Sequence, residues 1–173
     1  MNTNKNIKTL IVKKSLRLDC GKTINNYPIA YETYGALNEK KDNAILVFHA
    51  LTGDQFVTGK NPVTKKDGWW SYLVGPDKAI DTNKYFVICS NVIGGCMGSY
   101  GPSHNDPNTQ EVFGINFPVI TINDMVNAQE NLLDHFGIDK LFSVAGGSMG
   151  GMQVLQFVSN FPEKTKTAIP IAC

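Results

Sequence analysis

Gly146-Gly147-Ser148-Met149-Gly150 fits the G-x-S-x-G spacing that sets up a serine nucleophile. A serine hydroxyl attacks a carbonyl carbon only when it is lifted toward a base. A sharp strand-to-helix turn does this by holding the residue in a strained conformation. Such a turn needs small neighbours. Gly146 and Gly150 leave room for it, and Gly147 and Gly151 are expected to let helix and strand approach closely. The chemistry this stretch could perform is acyl transfer through a covalent acyl-serine, with Ser148 as the catalytic nucleophile.

An acyl transfer also develops negative charge on the carbonyl oxygen. That oxyanion needs preorganised N–H donors, normally the backbone after the nucleophile and one from a loop following an earlier strand. Met149 supplies the first by position. The second is expected from His49-Ala50-Leu51-Thr52-Gly53-Asp54, which follows the apolar run Ala44 to Phe48, and Leu51 is the chosen donor.

The order of the remaining parts is informative. Where G-x-S-x-G carries a triad, the acid and then the histidine follow the serine in the chain. The 25 residues after Ser148 hold Glu163 as their sole carboxylate and no histidine, while His49, His104 and His135 all precede it. None of the three is expected to be the base. His49 is expected to be structural, bonding a backbone group, and His135 to sit near a helix C-terminus. The final apolar run, Ala168 to Cys173, reads as a truncation after the elbow and its following helix and strand. An open sheet edge there should leave the isolated segment poorly soluble.

The elements that must hold these residues follow from hydrophobic pattern. Leu16 to Cys20 and Tyr27 to Tyr34 alternate around a Gly/Asn turn and predict an antiparallel pair. Ala44 to Phe48 and Tyr85 to Cys89 predict strands buried on both faces. Ile122, Met125, Val126, Leu132, Leu133 and Phe136 keep helical spacing, with Thr121 and Asp124 as a capping box and Gly137 as the stop. Leu141 to Ala145, Met149 to Asn160 and Thr167 to Ala172 then predict strand, helix and strand. Such alternation predicts an α/β fold with a mainly parallel sheet and helices on both faces, the topology of the α/β-hydrolase class. Residues 1–14 read as an N-terminal extension, and 15–173 as the front part of a single catalytic domain.

Composition excludes several classes. The 173 residues are 42% hydrophobic and 18% charged with a net charge of +1, so no basic stripe invites nucleic acid or an anionic membrane. The apolar run Leu10 to Val12 is too short for a signal or membrane segment, and a cytoplasmic protein is expected. Cys20, Cys89, Cys96 and Cys173 form no CxxC pair. They are expected to be free, mostly buried thiols, with no metal site. Trp69, Trp70 and Tyr72 could wall a pocket, with core packing the stronger expectation.

Phe48 to Asp54 and Gly146 to Gly151 with Met152-Gln153 resemble the homoserine O-acetyltransferase family. So do Asn91 to Cys96, Gly98-Ser99, Gly101-Pro102-Ser103, Phe117-Pro118, Thr121 to Val126 and Gln129; Tyr100 stands where a smaller residue is expected. The resemblance covers nearly everything after about residue 15. It implies acetyl transfer from acetyl-CoA, as a substrate rather than a bound cofactor, to the hydroxyl of L-homoserine, a step toward methionine. It also implies a homodimer, and a triad Asp and His and a substrate-binding Arg beyond Cys173. The alternatives left open are a homoserine or serine O-succinyltransferase of the same family, an esterase with the same elbow chemistry, and an inactive chain that keeps the fold without a triad.

Overall fold

Ala44–Phe48 is buried at every position, which requires cover on both faces of the sheet that contains it. In the computed structural model, which describes residues 7–173, that strand is central. The strands in chain order are β1 (Lys8–Val12), β2 (Leu16–Arg17), β3 (Thr23–Ile24), β4 (Tyr27–Tyr34), β5 (Ala44–Phe48), β6 (Val74–Gly75), β7 (Ile80–Asp81), β8 (Phe86–Ser90), β9 (Leu141–Gly147) and β10 (Thr165–Ile171). The helices are α1 (Ile122–Phe136), between β8 and β9, and α2 (Met149–Asn160), between β9 and β10.

Six strands make the main sheet in the order β1-β4-β8-β5-β9-β10. β8, β5, β9 and β10 are parallel to one another, and β4 and β1 continue the sheet antiparallel. The mainly parallel α/β architecture thus matches the expectation. Cover of the two faces differs from it. Ala44, Leu46 and Phe48 point into a core shared with Val126, Leu132 and Leu133 of α1 and Val154 and Phe157 of α2. Ile45 and Val47, on the opposite face, pack with Val57, Val74, Trp69 and Trp70. Among the described residues both helices therefore lie on one face. The irregular segment carrying the tryptophans takes the place expected of a helix on the other. An aromatic side chain buries about 150–250 Å², so a loop carrying two tryptophans can cover part of a sheet face without a helix.

The N-terminal hairpin also differs. β4 pairs with β1, in the register Val12↔Tyr27 to Lys8↔Tyr31, and not with the segment from Leu16. The reason is a tight turn, Leu18 N–H to the Lys22 carbonyl at 2.8 Å, which closes β2 on β3 after two residues and cannot reach β4. The edge of β4 is left for β1, where Lys8 forms an ion pair with Glu32. The boundary expected at residue 14 consequently falls inside the folded unit; residues 1–6 lie outside the described residues.

α1 starts and stops where the sequence signals it. Thr121, extended at φ −99° and ψ 169°, accepts from the Asp124 N–H at 3.2 Å, and the Asp124 carboxylate accepts from the Thr121 N–H at 3.0 Å. Gly137 ends the helix in the left-handed region at φ 64°. Of the cysteines, Cys89 is buried and Cys20, Cys96 and Cys173 are exposed, against the expectation of mostly buried thiols, because the latter three sit on turns or beyond a strand end. No helix among the described residues is long and apolar enough to cross a membrane.

Candidate active site

In a parallel sheet, strand carboxyl ends converge on one rim, and ligands bind there. β5, β8 and β9 deliver His49, Asn91 and Ser148 to that rim.

Ser148 stands at φ 55° and ψ −124°, between β9 and α2, and its side chain is exposed. Non-glycine residues reach this conformation only when their surroundings impose it. The surroundings are backbone against backbone. A Cβ placed on Gly150 would fall 2.2 Å from the Phe48 carbonyl oxygen, and one on Gly146 2.5 Å from the Gly150 carbonyl oxygen. The first turn of α2 thus presses directly on the ends of β5 and β9. Gly151 is crowded by the Ile171 carbonyl at 2.9 Å, but Gly147 has nothing nearer than 3.9 Å, so the close approach expected at Gly147 is made by its neighbours instead. The Ser148 N–H donates to the Ile171 carbonyl at 2.9 Å, tying the elbow to β10.

The loop after β5 is held by side chains. His49 is 1% exposed. Its Nδ1 lies 2.7 Å from the Ala50 carbonyl, and its Nε2 accepts the Val92 N–H at 3.1 Å. These partners fix the neutral tautomer with the proton on Nδ1. Burial pushes the His49 pKa below its ordinary value, consistent with that neutral form. The Ala50 carbonyl also accepts the Gly53 N–H at 2.8 Å. With that carbonyl turned inward, the N–H of Leu51 in the same trans peptide points the opposite way. Neither the Leu51 N–H nor the Met149 N–H finds a backbone or side-chain acceptor among the described residues.

Leu51 and Met149 line one cavity of about 490 Å³, together with His49, the turn Gly94 to Cys96, Phe117 and Met125. The two residues expected to supply the oxyanion donors thus line one common space, while Ser148, next to Met149 in the chain, is not among the lining residues. Among the described residues, the side chains lining it include no Asp, Glu, Lys or Arg. His104 bonds the Gly101 N–H through Nδ1 in a loop, and His135 lies near the end of α1 against Tyr31. With both His49 nitrogens engaged elsewhere, no histidine among the described residues bonds Ser148. Trp69 and Trp70 belong to the core, Trp69 Nε1 donating to the Asp54 carbonyl at 2.9 Å, and Tyr72 is exposed.

Sequence reasoning gave no role in the site to Ser90, Gln129 and Gln153 as a group, yet they are buried directly behind it and hydrogen-bonded in series. A signal existed. Gly150, Gly151, Gln153, Val154 and Phe157 are the buried residues of α2, and an amide on an otherwise apolar stripe needs polar partners.

Residues 43–171 match the α/β hydrolase fold family. The whole chain is 74% identical to a homoserine O-acetyltransferase of Pelagibacter ubique, covering 46% of that protein. Over 159 residues it is 60% identical to a homoserine O-acetyltransferase of Mesorhizobium japonicum, covering 92% of this chain and 41% of that one. The chain therefore spans less than half the length of these relatives. Among solved structures, the homoserine O-acetyltransferase of Bacillus anthracis superposes with a TM-score of 0.84 at 35% identity, over 94% of this chain and 45% of that one. An acetylester hydrolase of Corynebacterium glutamicum superposes with a TM-score of 0.75 at 34% identity, over 95% and 43%. With its strained serine elbow between β9 and α2 and the family match across three quarters of its length, the chain belongs to the α/β hydrolase fold family.

Proposed function

We propose that this chain carries the nucleophile and oxyanion hole of a homoserine O-acetyltransferase. The observation that carries the reading is the 74% identity over every residue of the chain, which includes the Ser148 elbow and the walls of the cavity beside it. Ser148 Oγ attacks the thioester carbonyl of acetyl-CoA. The N–H groups of Leu51 and Met149 hold the resulting oxyanion, and the carbon–sulfur bond breaks to release coenzyme A. The hydroxyl of L-homoserine then attacks the acetyl-serine, giving O-acetylhomoserine and free Ser148, a step that serves methionine synthesis. The general base in both steps is a histidine oriented by an Asp, which in this fold class follow the serine in the chain.

The names of the relatives, homoserine O-acetyltransferases, favour acetyl over succinyl. The scheme uses acetyl-CoA as a substrate and needs no bound cofactor or metal. A cytoplasmic homodimer completes the proposal, with sedimentation of the purified protein as its check.

An esterase is the second reading, favoured by the likeness to the acetylester hydrolase. Expression of the complete coding frame, with Ser148 intact and as Ser148→Ala, separates the two. Homoserine-dependent release of coenzyme A from acetyl-CoA, falling by about 10⁴-fold or more in Ser148→Ala, is expected of the transferase. Release of acetate at the same rate with and without homoserine would replace it with the esterase.

A further inference from the structure

Behind the cavity, buried side chains form one directed chain of hydrogen bonds. Ser90 Oγ donates to Gln129 Oε1 at 2.8 Å, and Gln129 Nε2 donates to Gln153 Oε1 at 2.7 Å. Gln153 Nε2 then donates to the carbonyl oxygens of His49 and Met149, both at 3.3 Å. Ser90, Gln129 and Gln153 are each no more than 1% exposed. The chain links β8, α1, α2 and the end of β5. Its order leaves little freedom: rotating the Gln153 amide by half a turn would set its NH₂ against that of Gln129 and its oxygen against two carbonyls.

The two carbonyls at its end explain its placement. The His49 carbonyl belongs to the peptide immediately before the one that holds the Leu51 N–H. The Met149 carbonyl belongs to the peptide immediately after the one that holds the Met149 N–H. A single side-chain nitrogen therefore grips the backbone next to each oxyanion donor, from opposite sides of the cleft. Helix packing alone does not require this, since the Met149 carbonyl is already placed to accept an ordinary helical bond. The contact to β5 is what the amide adds.

We infer that Gln153 is a positioning residue for the oxyanion hole: its amide, oriented by Gln129 and Ser90, sets the separation of the Leu51 and Met149 N–H donors. The inference rests on the reading of Ser148 as an acyl nucleophile. Oxyanion stabilisation depends on donors lying within a few tenths of an ångström of where the charge develops, so a slackened hole lowers the rate of the chemical step without weakening ground-state binding.

The test uses the full-length protein with Gln153→Met, Gln129→Met and the double variant, which keep side-chain length and remove the amides. Steady-state acetylation of L-homoserine and acylation by p-nitrophenyl acetate are followed, with thermal unfolding alongside. In Gln153→Met, kcat should fall by about 10- to 100-fold, less than for outright removal of an oxyanion donor, with both KM values within about threefold of wild type. Gln129→Met should show the same split at smaller amplitude, and the double variant should be no worse than Gln153→Met because the two act in series. The inference is overturned by kcat within about twofold of wild type, by a loss carried in KM, or by a double variant whose loss is the product of the single ones. If Gln153→Met does not fold, Gln129→Met decides, since Gln129 touches none of the donor peptides. Ser148→Ala runs in parallel: acyl release surviving there would bring down the nucleophile reading itself. Release lost there but independent of homoserine would leave the inference to be judged on p-nitrophenyl acetate.

Discussion

The two sides of the cleft are built by different means. At the elbow, Gly146 and Gly150 allow main chain to lie on main chain, and the strained Ser148 is held by contacts that no side chain makes. Across the cleft, the turn from His49 to Asn61 is held by hydrogen bonds, those of buried side chains added to backbone bonds such as Gly53 N–H to the Ala50 carbonyl. His49 reaches the Val92 N–H, Trp69 reaches the Asp54 carbonyl, and Asp54 accepts from the Phe56 N–H and from Asn61 Nδ2, each at 2.8 Å. The nucleophile is thus fixed by excluded volume and its oxyanion loop by hydrogen bonds. The first should fail abruptly when an atom is added, and the second gradually as bonds are removed.

Gly150→Ala is the sharpest way to break the elbow. Its methyl would sit 2.2 Å from the Phe48 carbonyl oxygen, and its three nearest neighbours are all backbone atoms, of Phe48 and His49. The cost should reach at least about 3 kcal/mol, the upper end for an inserted methyl group, with loss of the acyl-enzyme as well. Urea denaturation of the purified variant and trapping of the acyl-serine measure the two. A well-folded, active Gly150→Ala protein would show that the elbow is looser than its contacts.

The same difference explains what could be read from the sequence. Excluded volume at an elbow is written locally, in the spacing of Gly146, Ser148 and Gly150, and α1 is written locally in Thr121, Asp124 and Gly137; both stand where the pattern put them. The oxyanion loop is not local. His49 meets Val92 43 residues away and its carbonyl meets Gln153 104 residues away, and nothing near either residue announces the pairing. The N-terminal strands failed for a related reason. Two segments, the apolar run Leu10 to Val12 and the alternating Leu16 to Cys20, were both available to β4, and the turn at Leu18 to Lys22 decided between them. The cover of the second sheet face by Trp69 and Trp70 depends on where a long irregular segment folds back, which periodicity does not report.

His49→Ala probes the loop at its root. It removes the acceptor of the buried Val92 N–H and one of two donors to the Ala50 carbonyl. A loss of about 2–3 kcal/mol is expected for an unsatisfied buried donor and the space left behind. The wild-type imidazole also sets a pH dependence. Burial holds the folded-state pKa below the ordinary 6.5, so the unfolded chain binds a proton that the folded one refuses. Stability from this group is therefore intact above that value and declines as the pH falls below it. Denaturation at pH 7.5 and 5.5 should show a penalty for His49→Ala that shrinks at the lower pH. A penalty that is equal at both would mean the imidazole is not held neutral.

Asn61→Ala, at the far end of the same loop, should have the smallest effect, about 1–2 kcal/mol. Asn61 Nδ2 donates to Asp54 Oδ2 at 2.8 Å, while Asn61 Oδ1 accepts from the N–H groups of Val63 and Thr64. Burial already raises the Asp54 pKa above its ordinary 3.8, and the Asn61 amide is one of the groups opposing that rise. Without it the folded-state pKa climbs further, so the folded protein holds its proton more tightly than the unfolded chain does. The added cost is then present when Asp54 is ionised and fades as the pH is lowered toward 3.8. The change in the Asp54 titration can be followed by NMR of its carboxyl carbon, and the stability deficit by urea melts at pH 7.5 and 4.5. A deficit that stays constant over that range would assign the role of Asn61 to the Val63 and Thr64 turn alone, and would leave the Asp54 carboxylate held by the Phe56 N–H.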